Sequence, residues 1–288
     1  MFKYLVVPST GSELDRTAAE MAIRAADPSS SHLAFLHVRM DVKQVRVMLA
    51  GSGMTLGTGL IGLEEEADAA QRRARERFES LCTGFGLTVT DTPRTGLSAS
   101  WRMTTGEESA CLAQHARVAD AIVLSRGDEG DMLVGDTIAR ALMQSGRPVL
   151  IAPSAPSGPT PSLQKTIAIA WKDRPEAARA VTAAMPFIVR AERVVILSVS
   201  ENAGDDDESS LQLSNALRWR NADVSVERLM RDERPAPRIL LEAAGGPGIA
   251  ASLLVMGGYG HTRLREAVFG GFTRHVLAGA DIPVLLAH

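Results

Sequence analysis

Residues 135–152 of this chain read GDTIARALMQSGRPVLIA, and residues 270–287 read GGFTRHVLAGADIPVLLA. The two stretches align without a gap at an offset of 135 positions, which places the PVL of residues 148–150 on the PVL of residues 283–285. Self-similarity over a fixed distance is the mark of a repeated structural unit. The sequence therefore predicts two copies of one domain.

The repeat continues towards the start of each copy. Residues 3–8, KYLVVP, resemble residues 165–170, KTIAIA. Residues 33–38, LAFLHV, resemble residues 194–199, VVILSV. The similarity therefore covers the first two apolar runs of each copy as well as the last one.

A proline-rich stretch separates the two copies. Residues 153–162 read PSAPSGPTPS, and their four prolines and one glycine disfavour a regular helix or a central strand. We therefore predict a first domain over residues 1–152, a linker over residues 153–164 and a second domain over residues 165–288.

The composition is that of a globular protein. Of the 288 residues, 45% are hydrophobic and 23% are charged, which argues against disorder. The net charge of −3 offers no field to a nucleic-acid backbone, and an aromatic content of 4% argues against a base-stacking surface. Cys82 and Cys111 are too few for a disulfide framework or a structural zinc site. No apolar run approaches the ~18 residues of a membrane span and no secretory signal is visible, so we expect a cytoplasmic protein.

Short apolar runs alternate with helical patterns in both copies. The predicted strands of the first copy are Tyr4–Val7, Leu33–Val38, Thr88–Thr92, Ala121–Ser125 and Val149–Ala152. Those of the second copy are Thr166–Trp171, Val194–Val199, Asp223–Leu229, Ser252–Met256 and Val284–Ala287. Helices are predicted at 14–25 and 63–81, and then at 175–189, 207–220, 235–244 and 272–280. Thr105 and Glu108 have the spacing of a capping box at the start of a further helix.

These elements predict an α/β protein. Continuous apolar strands joined by helices form a parallel sheet that is covered on both faces. Five strands in each copy predict two tandem doubly wound domains with flavodoxin-like winding. Ligands of such sheets bind beyond the carboxyl ends of the strands. The residues that follow the first and fourth strands of each copy are therefore the candidates for chemistry.

A glycine-rich segment follows the fourth strand of the second copy. Residues 255–274 read VMGGYGHTRLREAVFGGFTR, in which Gly257, Gly260 and Gly270 are separated by two and by nine residues. Glycines let a backbone approach a phosphate chain closely, and the free amides at a helix start attract anions. This spacing, with the closing PVLL of residues 283–286, resembles the universal stress protein family. The repeated architecture resembles a tandem member of that family over nearly the whole chain.

The resemblance implies an adenine-nucleotide-hydrolase-like domain that binds ATP or AMP, with or without Mg²⁺. It also implies that the last strands of the two copies pair with each other, so that the chain forms a pseudo-dimer. In this family the three spaced glycines wrap the phosphates, and the position of Val199 offers backbone groups to adenine. Transferred by position, the binding residues are Ala170, Trp171, Asp173, Val199, Met256, Gly257, Gly260, His261, Gly270, Gly271, Phe272 and Thr273.

Two positions of the second copy depart from the family pattern. The family has a serine or threonine directly after the last glycine, where this chain has Gly271, and Thr273 is the nearby hydroxyl that would compensate. It commonly has an aspartate after the first strand, where this chain has Lys172 and carries Asp173 one residue later. Asp173 is equally compatible with a helix N-cap. The first two glycines of the segment are also compatible with a tight turn, and His261 with a solvated loop position.

The first copy departs further from the pattern. Its loop after the fourth strand is three residues shorter and contains Asp128, Glu129 and Asp131, which disfavour a polyphosphate. We predict that this copy binds no nucleotide and serves as a structural partner. An insertion at about 41–62 contains GSGMTLGTG at residues 51–59. We predict a mobile flap there, because this stretch is too rich in glycine to open a helix.

The sequence as a whole predicts a tandem universal stress protein that binds an adenine nucleotide in its second domain. It would act in the stress response through its conformation and through protein partners, including a homodimer of the tandem chain. The alternative is a nucleotide-free interaction or dimerisation module in which both sites are degenerate. No residue stands out as a general base, which leaves at most a slow ATPase, and no metal site is predicted.

Overall fold

A computed structural model describes residues 1–51, 59–127, 132–154, 162–200, 208–258 and 271–288. The strands of the first half are β1 (Tyr4–Pro8), β2 (Ser30–Met40), β3 (Thr88–Val89), β4 (Gly96–Gly106), β5 (Ala121–Ser125) and β6 (Val149–Ala152). Its helices are α1 (Leu14–Ala25), α2 (Val42–Gly51), α3 (Gly59–Phe85), α4 (Glu108–Ala116) and α5 (Met132–Ser145).

The second half repeats this alternation of strands and helices. Its strands are β7 (Thr166–Ala170), β8 (Arg193–Ser200), β9 (Val224–Met230), β10 (Leu253–Gly257) and β11 (Val284–Ala287). Its helices are α6 (Pro175–Ile188), α7 (Glu208–Arg218), α8 (Ala236–Gly245) and α9 (Gly271–Gly279). None of the helices in the described part of the chain is both long enough and apolar enough to cross a lipid bilayer.

All these strands belong to one sheet of the order β3-β4-β2-β1-β5-β6-β11-β10-β7-β8-β9. Neighbouring strands within each half are parallel, and the order reverses direction between β1 and β5 and between β7 and β10. This is the doubly wound arrangement that the sequence predicts, built twice. The carboxyl ends beside each reversal form one candidate ligand edge in each half.

The two halves meet through their last strands. β6 and β11 pair antiparallel, with Val149 opposite Leu286, Leu150 opposite Leu285 and Ile151 opposite Val284. All these residues are buried. The predicted pairing of the last strands is therefore confirmed, and the sheet runs without a break from one half into the other.

Both faces of the sheet are apolar because alternate residues of each strand point to opposite sides. In β1, Leu5 and Val7 belong to the cluster that includes Phe78 of α3 and Phe187 of α6. Val6 instead belongs to the cluster on the opposite face, which receives α4, α5, α8 and α9. The rings of Phe2 and Phe187 meet edge to face at 5.1 Å between centroids, which joins the two halves on the first face.

The third strand of the first half was predicted at the wrong place. The predicted run Thr88–Thr92 contributes only the two-residue strand β3 at the sheet edge. The long neighbour of β2 is β4, with eleven residues in register from Ser30 opposite Gly96 to Met40 opposite Gly106. β4 lacked a signal because its buried positions are Ser98, Ala99 and Ser100 rather than large aliphatic residues.

The insertion is also more regular than predicted. α2 covers residues 42–51 and ends at Gly51, and α3 begins at Gly59. Glycines therefore stand at the facing ends of two helices. Residues 52–58 lie outside the described residues. The 27-residue α3 is stabilised by tertiary packing, since Ala67, Ala74 and Phe78 are buried along one face. That face overrides the low helix propensity of the glycines at its start.

The predicted capping box before α4 is wrong in its members. Thr105 lies in β4, and the N-cap of α4 is Glu107. The Glu107 carboxylate accepts hydrogen bonds from the backbone N–H groups of Ser109 (3.2 Å) and Ala110 (2.9 Å). A carboxylate at this position satisfies free amides of the first turn and faces the positive end of the helix dipole.

Candidate functional site

Three of the candidate binding residues of the second half lie near the carboxyl ends of neighbouring strands. Ala170 at the end of β7 lies beside Met256 near the end of β10. Val199 is the second-last residue of β8, on the other side of β7. Gly260, His261 and Gly270 lie outside the described residues. The assignment of the twelve residues to a nucleotide site remains a prediction.

The residues directly after β7 do not share one environment. The indole N–H of Trp171 donates to the Ser209 hydroxyl of α7 at 2.9 Å, and the ring packs on the core. Asp173 is exposed, and the N-cap of α6 is Arg174, which makes no side-chain capping bond. The N-cap interpretation of Asp173 is therefore wrong, because Pro175 opens the helix one residue later.

Close packing explains one of the two glycines at the end of β10. A Cβ on Gly257 would lie 2.7 Å from the backbone nitrogen of Ala177 and 2.8 Å from the carbonyl carbon of Glu176. A Cβ on Gly258 would lie 2.7 Å from a methyl carbon of Leu142 in α5 of the other half. Real Cβ atoms do not approach backbone atoms so closely, so Gly257 requires glycine for packing whether or not a ligand binds. At Gly258 the close atom is the end of a flexible side chain, which can move, so packing alone does not require glycine there.

The start of α9 has a different character. Among the described residues outside its own helix and its chain neighbours, a Cβ on Gly271 would meet no atom within 4 Å, and the adjacent Phe272 is 39% exposed. Thr273 is only 4% exposed, so its side chain is turned into the protein within the first helical turn. Backbone amides at this helix start have no intrahelical acceptor. They provide the anion-attracting group that the sequence analysis places here.

In the first half, two cavities lie at the corresponding carboxyl edge. One has a volume of about 210 Å³ and lies between the β1–α1 connection, the end of β5 and α5. The other has a volume of about 410 Å³ and lies between the ends of β1 and β2 and the helix α3. Thr10 and Glu108 line both cavities, which are therefore neighbouring parts of one cleft. We call it the first-half cleft.

Polar groups of the first-half cleft are held by the backbone around β1. The buried carboxylate of Asp15 accepts from the N–H of Thr10 (2.9 Å), the N–H of Gly11 (2.8 Å) and the hydroxyl of Thr10 (2.6 Å). His37, 5% exposed, donates from Nδ1 to the carbonyl of Ser9 at 2.8 Å, since a carbonyl oxygen can only accept. The Nε2 atom of His37 is buried and has no hydrogen-bond partner among the described residues.

Two carboxyl groups give this cleft a negative character. Burial raises the pKa of Asp15, while the hydrogen bonds from Thr10 and Gly11 act against that rise. The protein atoms around the Glu108 carboxyl exclude water from it, which raises its pKa, and the negative charges of Glu107 and Asp15 raise it further. The ring of His37 is near enough for a positive charge on it to lower the pKa of Glu108. Asp15 and His37 therefore both lie close enough to Glu108 to act on its pKa.

The last residue of β5, the residue after it, and the equivalent pair at the end of β10 also face different surroundings. The hydroxyl of Ser125 donates to the backbone carbonyl of Leu14 at 2.8 Å, which ties β5 to the start of α1. Nη1 of Arg126 donates to three backbone carbonyls at the end of α9, at distances of 2.9–3.0 Å. Gly257 and Gly258 occupy the equivalent positions, because Arg126 and Gly258 each donate a backbone bond to the last residue of the neighbouring strand.

Sequence reasoning did not single out Asp15 or His37, and it gave Glu108 only as a member of a capping box. A signal for His37 was present, since it aligns with Ser198 as a polar residue near the carboxyl end of an apolar strand. Asp15 and Glu108 resemble ordinary acidic residues of a first helical turn. Their convergence depends on β1 and α4 being neighbours in space, which a pattern along the chain does not reveal.

Comparison with known proteins agrees with this architecture. The family model described as "Universal stress protein family" matches residues 166–288. A universal stress protein from Archaeoglobus fulgidus DSM 4304 is similar in structure, with a TM-score of 0.68, 16% identity and coverage of 99% of this chain and 95% of that one. A protein from Pseudomonas aeruginosa UCBPP-PA14 described as a putative universal stress protein has a TM-score of 0.58 at 15% identity, with coverage of 99% and 93%.

A third structure with this fold is described as the cytoplasmic domain of a prokaryotic cation chloride cotransporter. It has a TM-score of 0.53 at 15% identity and covers 99% of this chain and 95% of its own. At such identities the structural similarity shows a shared fold and says nothing about a shared activity. No curated protein matches the sequence. The fold comparisons therefore extend over the whole chain, whereas the family match covers its second half.

Proposed function

We propose that the second half of the chain, whose residues 166–288 match the universal stress protein family model, binds an adenine nucleotide. The phosphates would lie at the start of α9 and the base between the ends of β7, β8 and β10. The first half would hold the second through the shared sheet. The protein would act in the stress response through the conformation of this tandem unit and through protein partners.

The charges of the two ligand edges support this division. In the second half, the exposed cations Lys172 and Arg174 flank the exposed Asp173 after β7, and Arg274 lies exposed in the first turn of α9, so these cations outnumber Asp173. In the first half, Asp15 and Glu108 line the corresponding edge. Cations and helix amides favour a phosphate chain, whereas carboxylates repel it.

The observation that carries the proposal is the agreement between the extent of the family match and the distribution of these charges. The family match covers residues 166–288, the half in which the exposed cations after β7 and in α9 outnumber Asp173, whereas Asp15 and Glu108 line the edge of the other half. At the α9 amides, a Cβ on Gly271 would meet no atom within 4 Å in the described part of the chain outside its own helix and its chain neighbours.

Titration calorimetry of the full chain with ATP and with AMP tests the proposal. A Gly271→Asp variant puts a carboxylate at the α9 start without a steric clash, and we expect it to weaken binding on the order of tenfold or more. A Gly271→Ser variant supplies the hydroxyl that the family pattern has at this position and is expected to strengthen binding. Glu108→Gln, in the other half, is the matched control and is expected to leave the nucleotide affinity unchanged.

The competing function is a nucleotide-free interaction module. The packing of Gly257 against the backbone of Glu176 and Ala177 favours it, since this glycine is explained without a ligand. Absence of heat at millimolar ATP and AMP, in the wild-type chain and in Gly271→Ser alike, would overturn nucleotide binding and leave this alternative. Equal affinities in Gly271→Asp and the wild type would place the nucleotide away from α9.

A further inference from the structure

The first-half cleft has a built polar site that a nucleotide does not explain. Its larger part, of about 410 Å³, is in the size range of small-molecule pockets. Leu36, Val38 and Met40 give the cleft an apolar wall on the face of β2 opposite to His37, and Glu108 lies among the polar lining residues. The cleft therefore combines an apolar surface with a few polar groups, as ligand pockets do.

His37 supplies the most specific feature of this site. Its ring is fixed from two sides, by the Nδ1 bond to Ser9 and by stacking on Trp101 at 5.8 Å between centroids and an angle of 12°. With the proton on Nδ1, the neutral ring presents a lone pair at Nε2. A buried acceptor without a partner costs free energy, and a ligand that donates a hydrogen bond to it removes that cost. The cleft therefore favours a donor at His37.

The charge of the cleft indicates what kind of donor fits. Asp15, Glu66 and Glu108 line it, and the one cation among the described lining residues is Arg39. Arg39 is already paired with Glu64 at 2.9 Å and Asp68 at 2.8 Å. The lining thus carries carboxylates that no cation of the lining neutralises, which favours a positively charged ligand and disfavours a phosphate.

A metal ion fits these observations less well. Among the described residues, no group of three or more histidine, cysteine, aspartate or glutamate side chains is arranged to hold one. The carboxylate of Asp15 is already engaged by Thr10 and Gly11. An apolar wall also offers nothing to a hydrated cation, whereas it stabilises the carbon skeleton of an organic one.

We propose that the first-half cleft binds a small organic cation, an amine or guanidinium compound that donates to His37 Nε2 and lies against Glu108. Its carbon skeleton contacts Leu36, Val38 and Met40. The proposal concerns the first half alone and stands or falls separately from nucleotide binding in the second half. It gives the first half a ligand of its own, of opposite charge to a nucleotide.

Nuclear magnetic resonance of the full chain with ¹⁵N-labelled histidine tests the proposal. The probes are putrescine, agmatine, tyramine and phenethylamine, with 1,4-butanediol as the uncharged counterpart of putrescine. We expect at least one of the four cations to move the His37 Nε2 signal, because its lone pair gains a donor, and butanediol to leave it in place. Glu108→Gln should weaken that cation on the order of tenfold, whereas Glu20→Gln, an exposed carboxylate outside the cleft, should not.

Three outcomes would overturn the proposal. One is that none of the four cations moves the His37 signal at millimolar concentration. Another is that the affinity of a bound cation is the same in Glu108→Gln as in the wild type. The third is that AMP or adenosine moves the His37 signal while the cations do not, which would make the cleft a nucleoside site.

Discussion

The ends of β5 and β10 hold equivalent positions in the two halves, yet one reads Ser125-Arg126 and the other reads Gly257-Gly258. In the first half, the serine side chain spans the gap to α1. In the second half, the first turn of α6 comes so close to Gly257 that no Cβ fits. A cavity of about 210 Å³ lies beside Ser125. A serine at the end of the strand thus accompanies a wide spacing between that strand and the helix beside it, and a glycine accompanies a narrow spacing.

The next position breaks the symmetry across the contact between the halves. Arg126 reaches from the first half to the last carbonyls of α9, where a cation is favoured by the helix dipole. Gly258 instead leaves room for Leu142 of α5. The two halves therefore contribute different residues to the contact at equivalent positions. A duplicated chain can alter one half of such a contact without altering the other, which two identical copies cannot do.

The largest loss of stability is expected at Gly257, where β10 and α6 lie closest together. Gly257→Val should lower the free energy of unfolding by about 3 kcal/mol or more, because the new side chain overlaps the backbone of α6. Urea denaturation followed by circular dichroism measures it. Gly271→Ala is the matched control, expected to be neutral or to stabilise by up to about 1 kcal/mol. If Gly257→Val were as stable as the wild type, the close approach would be absent and a ligand would have to explain the glycine.

A smaller loss is expected for the cross-half cap. Arg126→Met removes the donors to the end of α9 while keeping the length of the side chain, and should cost about 2 kcal/mol. Hydrogen exchange of the α9 amides should accelerate at the same time. Arg238→Met is the control, since an exposed i,i+4 pair such as Arg238 with Glu242 contributes about 0.5 kcal/mol or less. Unchanged α9 exchange in Arg126→Met would show that the cap does not couple the halves.

A smaller loss of stability is expected at Ser125, where the spacing between β5 and α1 is wide. Ser125→Ala loses one hydrogen bond to the carbonyl of Leu14 and should cost about 1 kcal/mol in urea denaturation. Thr182→Ala, which loses a comparable bond to Ala178 on an exposed helix face, should be close to neutral. Equal stabilities of the two variants would show that Ser125 does not hold α1 in position.

The smallest expected effect is a pH dependence that belongs to the first half. Burial lowers the pKa of His32 from its ordinary value of 6.5, and the ring is held between Ser98 (2.9 Å) and Ser100 (2.8 Å). As the pH falls below that value, the unfolded chain binds the proton first, so the free energy of unfolding decreases. The difference in stability between wild type and His32→Gln should therefore shrink from pH 7 towards pH 5. A constant difference would contradict the shift.

The sequence predicted the architecture because apolar runs and helical spacing carry it directly. It predicted the β6–β11 pairing through the family resemblance. It missed β4 because Ser98 and Ser100 occupy buried positions on that strand, where His32 hydrogen-bonds both hydroxyls. It also missed α2 and the start of α3, where tertiary packing outweighs the glycines.

The candidate site could be predicted only in part. The resemblance brought the ends of β7, β8 and β10 together, and the structure places these ends at one edge. The packing role of Gly257 depends on how closely a helix approaches, which no local pattern encodes. The unpaired Nε2 of His37 depends on a ring orientation that a bond to Ser9 fixes.

The antiparallel junction of β6 and β11 makes the contact between the halves a part of folding. Because both strands are on one polypeptide, dilution cannot separate them, and each half meets the other at a fixed effective concentration. The junction also covers one edge of each half, which leaves the short β3 and the longer β9 as the outer strands of the described sheet. An added strand from another protein would find its longer template at β9, at the end of the half that we propose to hold the nucleotide.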